Sequence, residues 1–189
     1  MLIKQQKLST LPQKEITFFS GDVLSYRPFI RAFEHIIEEK GESSADRLYF
    51  LDQYTSGLPR DLVKSCLHMC PCRGYEKAKA LLQEHYGDEF KITSAYITKA
   101  LEWSAIKTED LKTLQYFVIF LRSCCNAMEE MTCSHEINLS SNMKILIMKI
   151  PFRLRERWRS YVCDFQERQK RRPQFSDLFI SRAASEDRL

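Results

Sequence analysis

The sequence predicts an all-α protein, and three observations carry that prediction. Only 5 Gly and 6 Pro punctuate 189 residues, whereas an all-β chain needs a turn roughly every ten residues. Past Ser25 the apolar residues recur at the three- and four-residue spacing of a helix face rather than the alternate spacing of a strand. Hydrophobic residues make up 44% and charged residues 29%, which supplies a core and lies far from the composition of a disordered chain. The expected architecture is a multi-helix bundle, as one globule or two lobes, behind a short extended lead-in.

The lead-in covers residues 1–24, where Ile16-Thr17-Phe18-Phe19 reads as extended and Ser20-Gly21-Asp22 as a turn. Ser25 is placed to cap a first helix with Phe29, Phe33 and Ile36 or Ile37 on one face, Pro28 in its first turn and Gly41 just past its end. A second helix, capped by Ser44, carries Leu48, Leu51 and Tyr54 and stops at Gly57. Pro59 opens a short third with Leu62, Val63 and Cys66, which Pro71 breaks, and Tyr75 to Tyr86 forms a fourth with Ala78, Leu81, Leu82 and Tyr86 on one face, stopping at Gly87. Phe90 to Trp103 is the fifth, and Glu109 to Met131 a long sixth striped by Leu111, Leu114, Phe117 or Val118, Leu121, Cys124 or Cys125, and Met128. Between these two, Ile106 to Thr108 is the expected lobe boundary, giving lobes 25–106 and 107–189. A polar stretch, Thr132 to Ser141, leads to a seventh helix from Asn142 to Ile150. Pro151 then stands in the first turn of an eighth, and Ser176 is placed to cap a short terminal helix.

Several function classes drop out on chemistry. The longest apolar run, Tyr116 to Leu121, is far short of the roughly 20 residues a bilayer requires, and Lys4 and Lys7 are followed by no apolar signal core. Neither export nor a membrane partner is expected, and the cytoplasm is the expected compartment, with the nucleus as the alternative. Seven cysteines, an odd number, read as small buried hydrophobes in a reducing compartment rather than as a disulfide framework. The cluster Cys66-Leu67-His68-Met69-Cys70-Pro71-Cys72 resembles a metal site, but His68 lies two positions from each of Cys66 and Cys70 and so projects from the other side of a helix. Zinc is therefore not expected, and these cysteines read as buried at a helix end. His35, His85 and His135 stand alone, and no phosphate cradle, nucleophile elbow or metalloprotease pair is present. No enzyme, cofactor or small-molecule substrate is expected.

The eighth helix is the informative element. From Lys149 to Arg172, nine Lys and Arg stand against Glu156, Asp164 and Glu167, leaving +6 in a chain whose total is +4. Leu154, Trp158, Tyr161, Val162 and Phe165 form one apolar stripe. Arg153, Arg157, Arg168 and Arg171 run along one flank, and Arg155, Arg159 and Lys170 along the other, with Arg172 just beyond. The pattern has two readings. One is a packing helix whose arginines solvate its edges. The other is a polyanion-binding face, with RNA the best-fitting polyanion, carried by Arg153, Arg155, Arg157, Arg159, Arg168, Lys170, Arg171 and Arg172.

The order of features resembles the Gag-like region of BEL/Pao-type retrotransposons. The resemblance rests on Ile16 to Asp22 followed by Tyr26, Phe29 and Phe33, on Asp46 to Leu51 with Gly57-Leu58, and on Tyr75 to Ala78, Leu81-Leu82 and His85-Tyr86-Gly87. It continues in Ile150-Pro151 and Leu154 to Trp158, and so spans residues 12–180. Tyr26 stands where that family usually has Trp. The resemblance implies a capsid-like helical fold, self-association as a homo-oligomer and, in a parent element, enclosure of its RNA. No stretch fits the zinc knuckle Cys-x2-Cys-x4-His-x4-Cys, and Tyr54-Thr55-Ser56-Gly57 has Tyr in place of the Asp of a retroelement protease. Three roles stay open: a self-assembling structural protein, an RNA-binding module and a domesticated protein-interaction adaptor.

Overall fold

The computed structural model describes residues 15–40, 43–129, 131 and 134–178. Eight α-helices and no strand occur among the described residues, so the chain is all-α. It divides into two compact units between Asp88 and Glu89. The division therefore falls ahead of the fifth helix rather than at Ile106 to Thr108. That helix carries Ile97 and Ala100 into one buried cluster with Ile106, Phe117 and Leu121.

In the first unit the described part of the expected lead-in, residues 15–22, places side chains in the core, and residues 1–14 lie outside the described residues. Ile16 and Phe19 are buried while Thr17 and Phe18 between them are exposed, an interval of three that regular strand alternation does not give. Phe19 N–H donates to the Tyr54 carbonyl and Ser56 N–H donates to the Phe19 carbonyl, both at 2.9 Å. The Phe19 ring stacks on Phe29 at 5.1 Å and meets Tyr86 edge-on at 5.0 Å, a geometry aromatic quadrupoles favour. Gly21, at φ +103°, makes the turn into α1, Val23–Phe33.

Asp22 caps α1 by accepting from Leu24 N–H, while the expected cap, Ser25, donates its hydroxyl to the Asp22 carbonyl at 2.8 Å. The earlier start leaves Pro28 inside the helix rather than in its first turn. A π-turn, Glu34–Glu38, continues α1, with Glu39 N–H reaching back to the Glu34 carbonyl at 3.1 Å. Gly41, the expected stop, lies outside the described residues.

Ser43, not Ser44, caps α2, Ser44–Gln53: its hydroxyl accepts from Asp46 N–H at 3.2 Å and donates to the Asp46 carboxylate at 2.5 Å. Gly57, at φ +61°, turns the chain into α3, Leu58–Lys64. Pro71 opens α4, Pro71–Tyr86, rather than breaking the helix before it. Proline lacks an N–H that the first turn leaves unpaired in any case, so it starts this helix without loss. Gly74 lets α4 approach closely: a Cβ there would stand 2.8 Å from the Cys66 carbonyl oxygen and 3.1 Å from Leu48.

The second unit holds α5, Glu89–Leu101; α6, Leu111–Met128; a 3-10 turn, Ser134–Asn138; α7, Ser140–Lys149; and α8, Phe152–Gln169. Asp110 caps α6 by accepting from Thr113 N–H at 2.9 Å. That backbone bond, followed by the Thr113 side chain, holds the Asp110 carboxyl below its ordinary range. Part of the polar stretch is the 3-10 turn, and α7 begins two residues before the expected Asn142. Trp103 packs on Phe117 and Phe120 at 5.2 and 5.4 Å. No helix among the described residues is long and apolar enough to cross a membrane.

The cysteines divide where a common buried role had been expected. Cys66 and Cys124 are buried and Cys125 half-buried, whereas Cys70, Cys72 and Cys163 are exposed; Cys133 lies outside the described residues. Burial, and then the neighbouring Cys125, pushes the Cys124 thiol up to about 12. Cys70 and Cys72 are exposed because Pro71 starts α4 beside them, so neither lies in the turn after α3 that buries Cys66.

Candidate nucleic-acid interface

The basic candidates sit on α8 and the turn that ends it. Pro151 precedes the first helical residue, and its carbonyl accepts from Leu154 and Arg155 N–H at 2.9 and 3.1 Å. Trp158 is the buried anchor of the apolar stripe. Tyr161 and Val162 pack half-buried against the same cluster, while Leu154 and Phe165 are half-buried at its margin. A ring ladder runs along the stripe: Trp158 stacks on Tyr161 and Tyr161 tilts on Phe165, both at 5.5 Å.

The eight cations the sequence singled out separate into two groups. Arg153, Arg157 and Arg168 are exposed and have no ion pair among the described residues. Helical spacing puts them on one line about 22 Å long, with the exposed carboxylate of Asp164 interposed on the same line. Lys170 and Arg172 are exposed just beyond, and neither forms an ion pair among the described residues. Lys170 adopts the left-handed conformation (φ +52°, ψ 23°) that ends α8, its N–H donating to the Gln166 carbonyl.

The remaining three are engaged. Arg159 pairs with Glu156 at 3.0 Å. Arg155 is half-buried, its Nη1 lying 3.4 Å from Met148 Sδ. Arg171 is held hardest: it grips Asp177 with two bonds, at 2.9 and 3.3 Å, and its guanidinium lies 4.5 Å from the Phe165 ring centroid. The Asp177 side chain is only 3% exposed and also accepts from Gln174 N–H at 2.7 Å. Buried Phe175 is fixed alongside, its N–H donating to Asn138 Oδ1 at 2.6 Å. Arg171 therefore fastens the returning chain to α8, where the sequence had set it beside Arg168 as a free cation. Asp177 and Asn138 carry no periodic signal; only the reversal at Lys170 brings the chain beyond it to Asn138. Of the helix that Ser176 was placed to cap, only Asp177 and Leu178 lie within the described residues.

The face that results is a line of solvated arginines on a helix anchored by one tryptophan, inside an all-α protein of two compact units. It offers planar multi-donor groups suited to phosphate. A family model described as a protein of unknown function, DUF1759, matches residues 19–167. The match covers most of both units, and the chain belongs to that family. No curated protein and no solved structure matches the chain.

Proposed function

We propose that the chain is a Gag-like, capsid-like structural protein of retrotransposon origin that self-associates and performs no catalysis. The observation that carries this reading is the family match across residues 19–167, in a family typically found in retrotransposon- and Gag-Pol-associated proteins. The BEL/Pao-type order of motifs over nearly the same span supports it, as does the all-α fold. Self-association is tested by analytical ultracentrifugation into the high micromolar range, with and without RNA. Dimers or larger species that grow with concentration are expected, and electron microscopy reads any particles they form. A strictly monomeric chain under all these conditions would overturn the assembly role and favour a domesticated adaptor.

A second reading, RNA binding through α8, is favoured by the exposed line of Arg153, Arg157 and Arg168 without ion pairs among the described residues. Such binding would be weak, sequence-independent and steeply salt-dependent, because each neutralised phosphate releases counterions. Reversing these three residues to Glu should abolish retention on RNA at low salt and leave helicity unchanged. Equal retention by the wild type and the triple variant would make α8 a packing element with solvated edges. The working compartment under both readings is the cytoplasm or the nucleus, where the free thiols of the described cysteines would stay reduced.

A further inference from the structure

The corner between α7 and α8 carries a face that neither the core nor the arginine line uses. Ile145 is 41% exposed, Met148 59% and Phe152 62%. Single exposed apolar side chains are ordinary in soluble proteins, but a contiguous group is not. These three are joined: Met148 follows Ile145 by one turn of α7, and Arg155 bridges Met148 to Phe152. Its Nη1 lies 3.4 Å from Met148 Sδ and its guanidinium 5.8 Å from the Phe152 ring centroid.

Arg155 is the unusual member. Its Nε is buried without an acceptor, and no carboxylate pairs with it among the described residues. Arg159 holds Glu156 and Arg171 holds Asp177, and Arg153 and Arg157, also without an ion pair among the described residues, stand exposed in solvent where Arg155 is half-buried. A guanidinium resting on a thioether and an aromatic ring is partly desolvated, so its charge is poorly compensated by water. Lys144, exposed one turn before Met148, adds a second cation of the same sign.

We propose that this corner docks a partner protein segment of acidic amphipathic character, one that lays apolar side chains on Ile145, Met148 and Phe152 and presents a carboxylate to Arg155. Charge complementarity selects this occupant. A second copy meeting the face through a two-fold axis would bring Arg155 and Lys144 of both copies into one contact, an arrangement like-charge repulsion penalises. A phosphate backbone would satisfy the cations but would leave Ile145 and Met148 in water. The proposal goes beyond the assembly role and does not depend on it.

The test pans a display library of short random peptides on the full chain. Enriched peptides should carry Glu or Asp among apolar residues spaced three or four apart. A synthetic copy of the leading peptide should bind Phe152→Ser and Arg155→Glu variants at least about tenfold more weakly, as expected where an anchor and its charge partner are lost. Replacing its acidic residues with Lys should have the same effect. Met148→Ser serves as an independent surface variant, and circular dichroism checks that each variant keeps its helices. No enrichment over a Phe152→Ser bait, enrichment of basic peptides, or equal binding to folded variants would overturn the proposal. Loss of sedimentation-detected self-association in Phe152→Ser would reassign the face to a contact between copies. Loss of oligouridylate binding in the same variant, with no acidic peptide enriched, would reassign it to RNA.

Discussion

The Glu34–Glu38–Lys79 cluster of the first unit and the arginine line of the second treat charge in opposite ways. In the first, the π-turn brings Glu34 and Glu38 onto one cation: Lys79 Nζ lies 2.6 Å from one carboxylate and 2.8 Å from the other. Tyr75 adds its hydroxyl to Glu38, and Arg47 donates to the Glu38 carbonyl at 3.3 Å. Burial alone would raise the Glu38 carboxyl, but hydrogen bonds from Lys79 and then Tyr75 outweigh it and hold the group below its ordinary range. In the second unit, Arg153, Arg157 and Arg168 meet no carboxylate among the described residues. Charge neutralised within a fold serves the fold, whereas charge left in solvent is available to a partner. The arginine line is accordingly where binding variants should act without unfolding the protein.

The sharpest way to break that contrast is through the α8 anchor. Trp158→Ala should cost about 3–5 kcal/mol in urea denaturation, because it leaves a cavity beneath the helix that carries the arginines. Next in size, Asp177→Ala should cost about 2 kcal/mol by stranding Arg171 over Phe165 and leaving Gln174 N–H without its acceptor. Arg153→Ala, on the same helix, should stay within about 0.5 kcal/mol. Equal effects of these two substitutions would mean that Arg171 is as free as its neighbours.

Smaller still, Glu38→Gln should cost about 1 kcal/mol, discounted for the partial exposure of the network. Its pH dependence has a definite sign. The folded Glu38 value lies below the ordinary 4.5, so its contribution is complete above that value and is lost as pH falls through the lower folded one. For Lys79, burial lowers the value, but bonds from Glu34 and then Glu38 raise it above the ordinary 10.5. Its contribution is present below 10.5 and is lost as pH rises through the higher folded value. Thermal melts of wild type and Glu38→Gln should therefore converge in acid. A constant difference from neutral to strongly acidic pH would show that the network does not titrate as described.

Most of the helical order could be read from the chain because it depends on local spacing. Phe29 and Phe33 in α1, Ala78 and Leu82 in α4, and Phe117, Leu121 and Cys124 in α6 are all buried. What escaped were the ends and the partners. Asp22 displaced Ser25 as a cap because both lie at the same turn and either oxygen can compete for the first free N–H groups. Pro71 was read as a stop although the same ring chemistry makes it a start; what precedes it decides between them. The boundary was set at Ile106 by a break in periodicity, but Ile106 N–H donates to the Lys149 carbonyl at 2.7 Å within the second unit. No local pattern encodes a hydrogen bond across that sequence distance.

The sequence by itself determined the all-α class, the extended lead-in and a basic amphipathic eighth helix, because periodicity, turn residues and charge are local properties. Only the tertiary structure decided which basic residues are free. Helical spacing places Arg168 and Arg171 on one flank, but the left-handed turn at Lys170 carries Arg171 off the helix and back over Phe165 to the buried carboxylate of Asp177. Whether a charge is paired depends on groups that the chain brings together across a reversal, and that proximity exists only once the segment has folded back.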